Sequence, residues 1–140
     1  MKLHHIGVAA ADIEKTAARY RESLGYEKAS GQIEDKFQQA VVQFLSLKGS
    51  PHFLEIVSPN SDKSPLKKFA ASGAKLHHLC YQTPDINSAL QKLRESGFFI
   101  IQEPAPAAAF PGRSIAWAMD SDKNLIELVE EKPGEDFLRV

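Results

Sequence analysis

The chain has 140 residues, 43% of them hydrophobic and 25% charged, with a formal net charge of −1. This is the composition of an ordinary soluble globular protein, and the balanced charge, with no block of one sign, argues against a nucleic-acid partner. No apolar run reaches membrane-spanning length, the start Met1-Lys2-Leu3-His4-His5 lacks the apolar core of a secretory signal, and the single cysteine, Cys80, cannot close an internal disulfide; a cytoplasmic protein is expected.

Periodicity predicts a first strand over 3–9. Asp12 then opens a helix whose apolar positions Ile13, Ala17, Tyr20 and Leu24 follow helical spacing, with Gly25 as its stop. A further strand candidate covers 26–33, followed by strands over 39–47 and 52–57. A short helix is expected over 65–71, between polar joints at 60–64 and 72–75. The pattern then starts again, with a strand over 76–82 and a helix from Asp85 through Ile86, Leu90 and Leu93, stopped by Gly97. Strands over 98–102, 114–119 and 124–130 follow, with a Pro/Ala-rich loop over 103–113. The expected organisation is one domain of two modules. Module 1 takes about 1–60, a joint with the short helix 61–75, module 2 about 76–131, and a C-terminal tail 132–140.

The second half repeats the first. Leu3-His4-His5 returns as Leu76-His77-His78, Asp12-Ile13 as Asp85-Ile86, and Arg21-Glu22-Ser23 as Arg94-Glu95-Ser96, each 73 residues later. Phe53-Leu54-Glu55-Ile56-Val57 is echoed 72 residues on by Leu125-Ile126-Glu127-Leu128-Val129. Each copy reads strand, helix, strand, strand, strand, with a histidine near its start and a glutamate near its end.

Side chains alternate across a strand. Ile6 and Val8 therefore oppose His5, and Leu79 and Tyr81 oppose His78. Leu54 and Ile56 oppose Glu55, and Ile126 and Leu128 oppose Glu127. A carboxylate among large apolar residues needs solvent, a cation or a metal, because a lone buried charge is costly. Two imidazoles and two carboxylates suit one divalent transition ion with open positions for substrate. The plainer alternative is a solvated sheet face with structural histidines. Trp117 and Phe44 are most simply core or pocket wall, Cys80 a buried inert thiol, and His52 exposed. Arg113 is a candidate to hold a substrate carboxylate or phosphate, against the simpler reading of a surface arginine. Lys67 and Lys68 read as a solvated helix face that a carrier phosphate could use.

The pieces His4-His5-Ile6-Gly7-Val8, Glu55-Ile56-Val57-Ser58-Pro59, Leu76-His77-His78-Leu79-Cys80-Tyr81 and Leu125-Ile126-Glu127-Leu128-Val129 together resemble the vicinal oxygen chelate superfamily over nearly the whole chain. That superfamily includes glyoxalase I, extradiol dioxygenases, bleomycin-resistance proteins and methylmalonyl-CoA epimerases, and the pattern is most similar to the epimerases. The resemblance implies an α+β fold in which two βαβββ modules form a cupped mixed sheet around a divalent metal ion (Co, Ni, Zn or Mn). It implies His5, Glu55, His78 and Glu127 as ligands, with His4 and His77 on the opposite faces. It also implies a homodimer acting on a small-molecule acyl thioester such as methylmalonyl-CoA, by removal of a proton beside a carbonyl.

Some epimerases carry a glutamate at the position aligned with Gln43, which is therefore a candidate substrate contact here; Glu127 becomes the first candidate base and Glu55 the second. The rival readings are a glyoxalase I-type lyase and a non-catalytic small-molecule-binding or resistance protein of the same fold. Ala9 and Pro59 stand where bacterial glyoxalases tend to place Arg and Asn to hold glutathione.

Overall fold

The computed structural model describes residues 1–73 and 76–133. Positions 74–75 of the expected joint, and the expected tail from 134 onward, lie outside the described residues. The chain divides into two units, one made of His5–His77 and the other of Met1–His4 together with the stretch from His78. The fold is mixed α+β, and each unit combines parallel and antiparallel pairing.

In the unit His5–His77, β1 (Lys2–Ala9) leads into α1 (Ile13–Leu24). The short β2 (Glu27–Lys28) and β3 (Ile33–Asp35) follow, then β4 (Ala40–Ser46), β5 (Phe53–Pro59) and α2 (Leu66–Ala71). The helix starts where Asp12 accepts a hydrogen bond from the Lys15 N–H at 3.1 Å. It stops at Gly25, whose φ of 77° is the left-handed conformation that glycine adopts at no steric cost. β5 runs parallel to β1 and antiparallel to β4, and both β2 and β3 pair with β4. The expected strand over 26–33 is thus split: Ala29 and Ser30 both turn their N–H groups onto the Phe44 carbonyl. Ile13 and Ala17 of α1 pack on Leu45, Leu54 and Ile56, with Ile6 and Val8 beside them. Burying a side chain such as Ile56 or Leu45 stabilises the fold by about 1.5–3 kcal/mol each.

The other unit repeats the plan with β6 (Leu76–Thr83, its last residues from His78), α3 (Ile86–Glu95), β7 (Phe99–Pro106), β8 (Ser114–Met119) and β9 (Leu125–Glu130). Asp85 caps α3, accepting from Ser88 N at 2.9 Å and Ser88 Oγ at 2.7 Å. β9 lies parallel to β6 and antiparallel to β8, and β8 pairs with β7. Ile86, Ala89 and Leu90 close over Ala116 and Leu128.

One boundary differs from the sequence expectation. β7 continues through Pro104 to Pro106, where a loop from 103 was expected. Among the described residues β7 pairs with β8 alone, with register shifts between Ile100 and Gln102 and between Gln102 and Ala105. Proline lacks an N–H for a ladder, but an irregular edge strand requires none on its open side.

Candidate functional site

Glu55 faces away from α1 because its neighbours Leu54 and Ile56 are drawn into the α1 core. In the ladder its partners are Gly7 on one side and Phe44 on the other. Gly7 adds no side chain to that face. His5 comes from the same strand as Gly7, and its Nε2 lies 3.4 Å from Glu55 Oε2, both side chains being buried. Phe44 sets its ring edge-on to His5, with centroids 5.2 Å apart and planes at 80°, and meets Phe53 in a second edge-on contact at 6.5 Å.

The second unit builds the same figure. Glu127 is opposed to Leu128, which belongs to the α3 core, and its ladder partners are Cys80 and Trp117. His78 Nε2 lies 3.1 Å from Glu127 Oε2, again with both side chains buried. Trp117 meets the His78 ring edge-on at 4.9 Å and 75°. Phe44 and Trp117 are 73 positions apart, as are Gly7 and Cys80.

Each unit therefore holds one imidazole nitrogen and one carboxylate oxygen against each other in a buried, water-poor setting. A carboxylate of 4% or 3% exposure, as at Glu55 and Glu127, is expensive without a positive partner. Nitrogen and oxygen donors of this kind fit a divalent first-row ion, so the donor chemistry of each pair is that of half a metal site.

The other sequence candidates fall elsewhere. Gln43 pairs with Ile56, so it lies on the α1 face of β4, opposite to Phe44. It is buried there, and its Nε2 donates to the Ser30 carbonyl at 3.1 Å. The register, which an alignment of single letters does not fix, removes it from the Glu55 face. Arg113 is not a surface arginine: it is 5% exposed, and its Nη1 donates to the Glu130 carbonyl at 3.1 Å, fastening the loop before β8 to β9. His4 is buried edge-on to Phe110, and the half-buried His77 is edge-on to Phe69. Lys67 pairs with Asp62 beside a surface cavity lined by Ala11, Asn60, Ser61 and Ala70. Cys80 is buried and His52 exposed.

The sequence alone reads Phe44 and Trp117 as core or pocket wall. The 73-residue offset that pairs the histidines also pairs these two, and would have marked them.

Comparison with known proteins supplies the lineage. The family model described as the Glyoxalase/Bleomycin resistance protein/Dioxygenase superfamily matches residues 4–117. The ethylmalonyl-CoA/methylmalonyl-CoA epimerase of Cereibacter sphaeroides is 32% identical over 133 residues, 91% of this chain and 96% of that protein. A crystal structure of a hypothetical protein from Bacillus halodurans superposes with a TM-score of 0.82 at 28% identity, covering 96% of this chain and 97% of that one. A variant of Streptomyces coelicolor methylmalonyl-CoA epimerase, solved with 2-nitronate-propionyl-CoA, shares the fold with a TM-score of 0.80 at 24% identity, covering 97% and 98%. With a family model spanning most of its length and a relative of this identity across nearly all of it, the chain belongs to the glyoxalase/bleomycin resistance protein/dioxygenase superfamily.

Proposed function

We propose that this enzyme epimerises a short branched acyl thioester, methylmalonyl-CoA or the homologous ethylmalonyl-CoA. In this reading His5, Glu55, His78 and Glu127 together hold one divalent ion, of Co, Ni, Zn or Mn. The single observation that carries the proposal is the duplicated buried pair, His5 with Glu55 and His78 with Glu127, each at ion-pair distance. The Cereibacter relative, whose name carries both substrates, supports this substrate class. A binding protein without catalysis would have no need of two such pairs kept at the expense of buried charge.

When bound, such an ion supplies electrophilic stabilisation of the negative charge that develops on a carbonyl oxygen. The chain's own part is the proton. Glu127, which would have to loosen from the ion to act as a base, is the first candidate to take it from the carbon beside the thioester carbonyl, and Glu55 the second. Return of the proton to the opposite face of that carbon completes the inversion. Both pairs are buried, and a low-dielectric setting strengthens charge interactions.

A homodimer is part of the proposal. Phe99 and Ile101 of the edge strand β7 are 66% and 48% exposed, and a second copy of the chain covering them would remove an open apolar edge.

Incubation of the metal-loaded protein with methylmalonyl-CoA in D2O tests the function. Deuterium is expected at the carbon between the carboxylate and the thioester. Metal-loaded protein that leaves both methylmalonyl-CoA and ethylmalonyl-CoA unlabelled would rule out the substrate class.

A further inference from the structure

We infer that Phe44 and Trp117 are positioning residues for the two histidines, and that Trp117 sets how tightly His78 engages a metal ion. The inference rests on the metal reading of the two His–Glu pairs, and goes beyond it by assigning a role to residues that donate nothing to the ion.

The geometry is a closed triangle in each unit. Phe44 is the ladder partner of Glu55, Glu55 is 3.4 Å from His5, and the His5 ring is edge-on to Phe44. Trp117 is the ladder partner of Glu127, Glu127 is 3.1 Å from His78, and the His78 ring is edge-on to Trp117. One side of each triangle is fixed by the backbone, since register places the aromatic residue beside the carboxylate. The third side is the edge-on ring contact, which favours one orientation of the imidazole about its Cβ–Cγ bond. Edge-to-face packing of this kind favours one interplanar angle over others. Each aromatic residue thereby aims the histidine Nε2 at its glutamate before any ion arrives, which lowers the ordering cost of binding.

The two units differ in their ring. Phe44 also meets Phe53 edge-on, with centroids 6.5 Å apart. Trp117 pairs instead with Gln102, the one β7 residue between the two register shifts. Since the chain contains one tryptophan, its fluorescence reports on this brace alone.

The experiment compares wild type, Trp117→Phe, Trp117→Leu and Phe44→Leu by Co(II) competition against a chromophoric chelator, with the visible Co(II) spectrum and circular dichroism recorded for each. Trp117→Phe keeps a ring edge and is expected within about 3-fold of wild-type affinity, whereas Trp117→Leu and Phe44→Leu each lose about 10-fold and change the Co(II) absorption, the size usual for outer-shell support of a ligand. In wild type, Ni(II) loading is expected to quench the indole emission. Unchanged affinity and spectrum in a folded Trp117→Leu, or unquenched emission in metal-loaded wild type, overturns the inference; the quenching arm stands even where a leucine variant does not fold. Wild type that takes up no ion overturns the metal reading itself, which keeps the two failures distinct.

Discussion

Glu55 and Glu127 occupy equivalent ladder positions in their units, each flanked by an aromatic residue on one side and a small side chain or none on the other: Phe44 and Gly7 for the first, Trp117 and Cys80 for the second. The equivalence extends to their histidines, at 3.4 and 3.1 Å. It does not extend to Gly7 and Cys80, so the two carboxylates share a geometry but not a neighbourhood. Two chemically distinct roles for the pair are therefore open, and the proposed assignment gives the base to Glu127.

That assignment predicts the behaviour of one conservative variant. Glu127→Gln is expected to lower exchange of the substrate α-hydrogen with solvent by at least about 100-fold, the scale of a lost general base, while its circular dichroism stays that of wild type. Exchange at the wild-type rate in this variant would reassign the base, with Glu55→Gln as the next variant to measure.

Gln43 gives a prediction of opposite sign to the one an alignment suggests. Restoring a glutamate there would place a carboxylate on the buried α1 face, beside the Ser30 carbonyl, not on the Glu55 face. Gln43→Glu is expected to lower unfolding stability by about 3 kcal/mol, measured by urea denaturation, without raising the exchange rate. A stable and faster variant would show that Gln43 reaches the substrate.

Much of this architecture was legible from the letters. The duplication placed the two histidines and two glutamates, and strict alternation around Leu54, Ile56, Ile126 and Leu128 chose their faces. Asp12 and Asp85 announced the helix starts because a short acceptor before an apolar helical pattern has one obvious use. What stayed hidden depended on register and on long-range pairing. Gln43 lies one residue from Phe44, and a one-residue difference in a strand reverses the face. Arg113 is exposed or buried according to whether the loop before β8 folds back on β9, which no local pattern states. Pro104 and Pro106 read as loop residues because the sequence does not say that β7 is an edge.

The two helix caps predict an acid response. The carboxyl of Asp12 is held below its ordinary value, chiefly by the backbone N–H of Lys15, and that of Asp85 chiefly by the backbone N–H of Ser88. A carboxylate depressed in the folded state adds stability above its unfolded pKa and loses it as pH falls through the folded value. The melting temperature is therefore expected to hold from neutral pH to the usual carboxylate range and to fall below it. Asp85→Asn still caps but cannot titrate, so its melting curve should lose less on acidification than wild type. Equal losses in the two proteins would remove Asp85 from the acid response.

The core of the second unit makes a further prediction. Leu128 is fully buried under α3, on the face away from Glu127. Leu128→Ala is expected to cost about 2–5 kcal/mol through lost burial and the cavity left behind, read by denaturant unfolding. A cost below 1 kcal/mol, on the order of a surface substitution, would mean that α3 does not close on this residue.

Metal stoichiometry tests the central proposal most directly, that both units serve one ion. Wild type, His5→Ala and His78→Ala would be loaded with Co(II), freed of excess ion, and assayed for metal per chain. One equivalent in wild type and near-complete loss in both variants is the expected result. Two equivalents in wild type, or one retained by the intact unit of either variant, would contradict a shared site and leave two separate His–Glu pairs in its place.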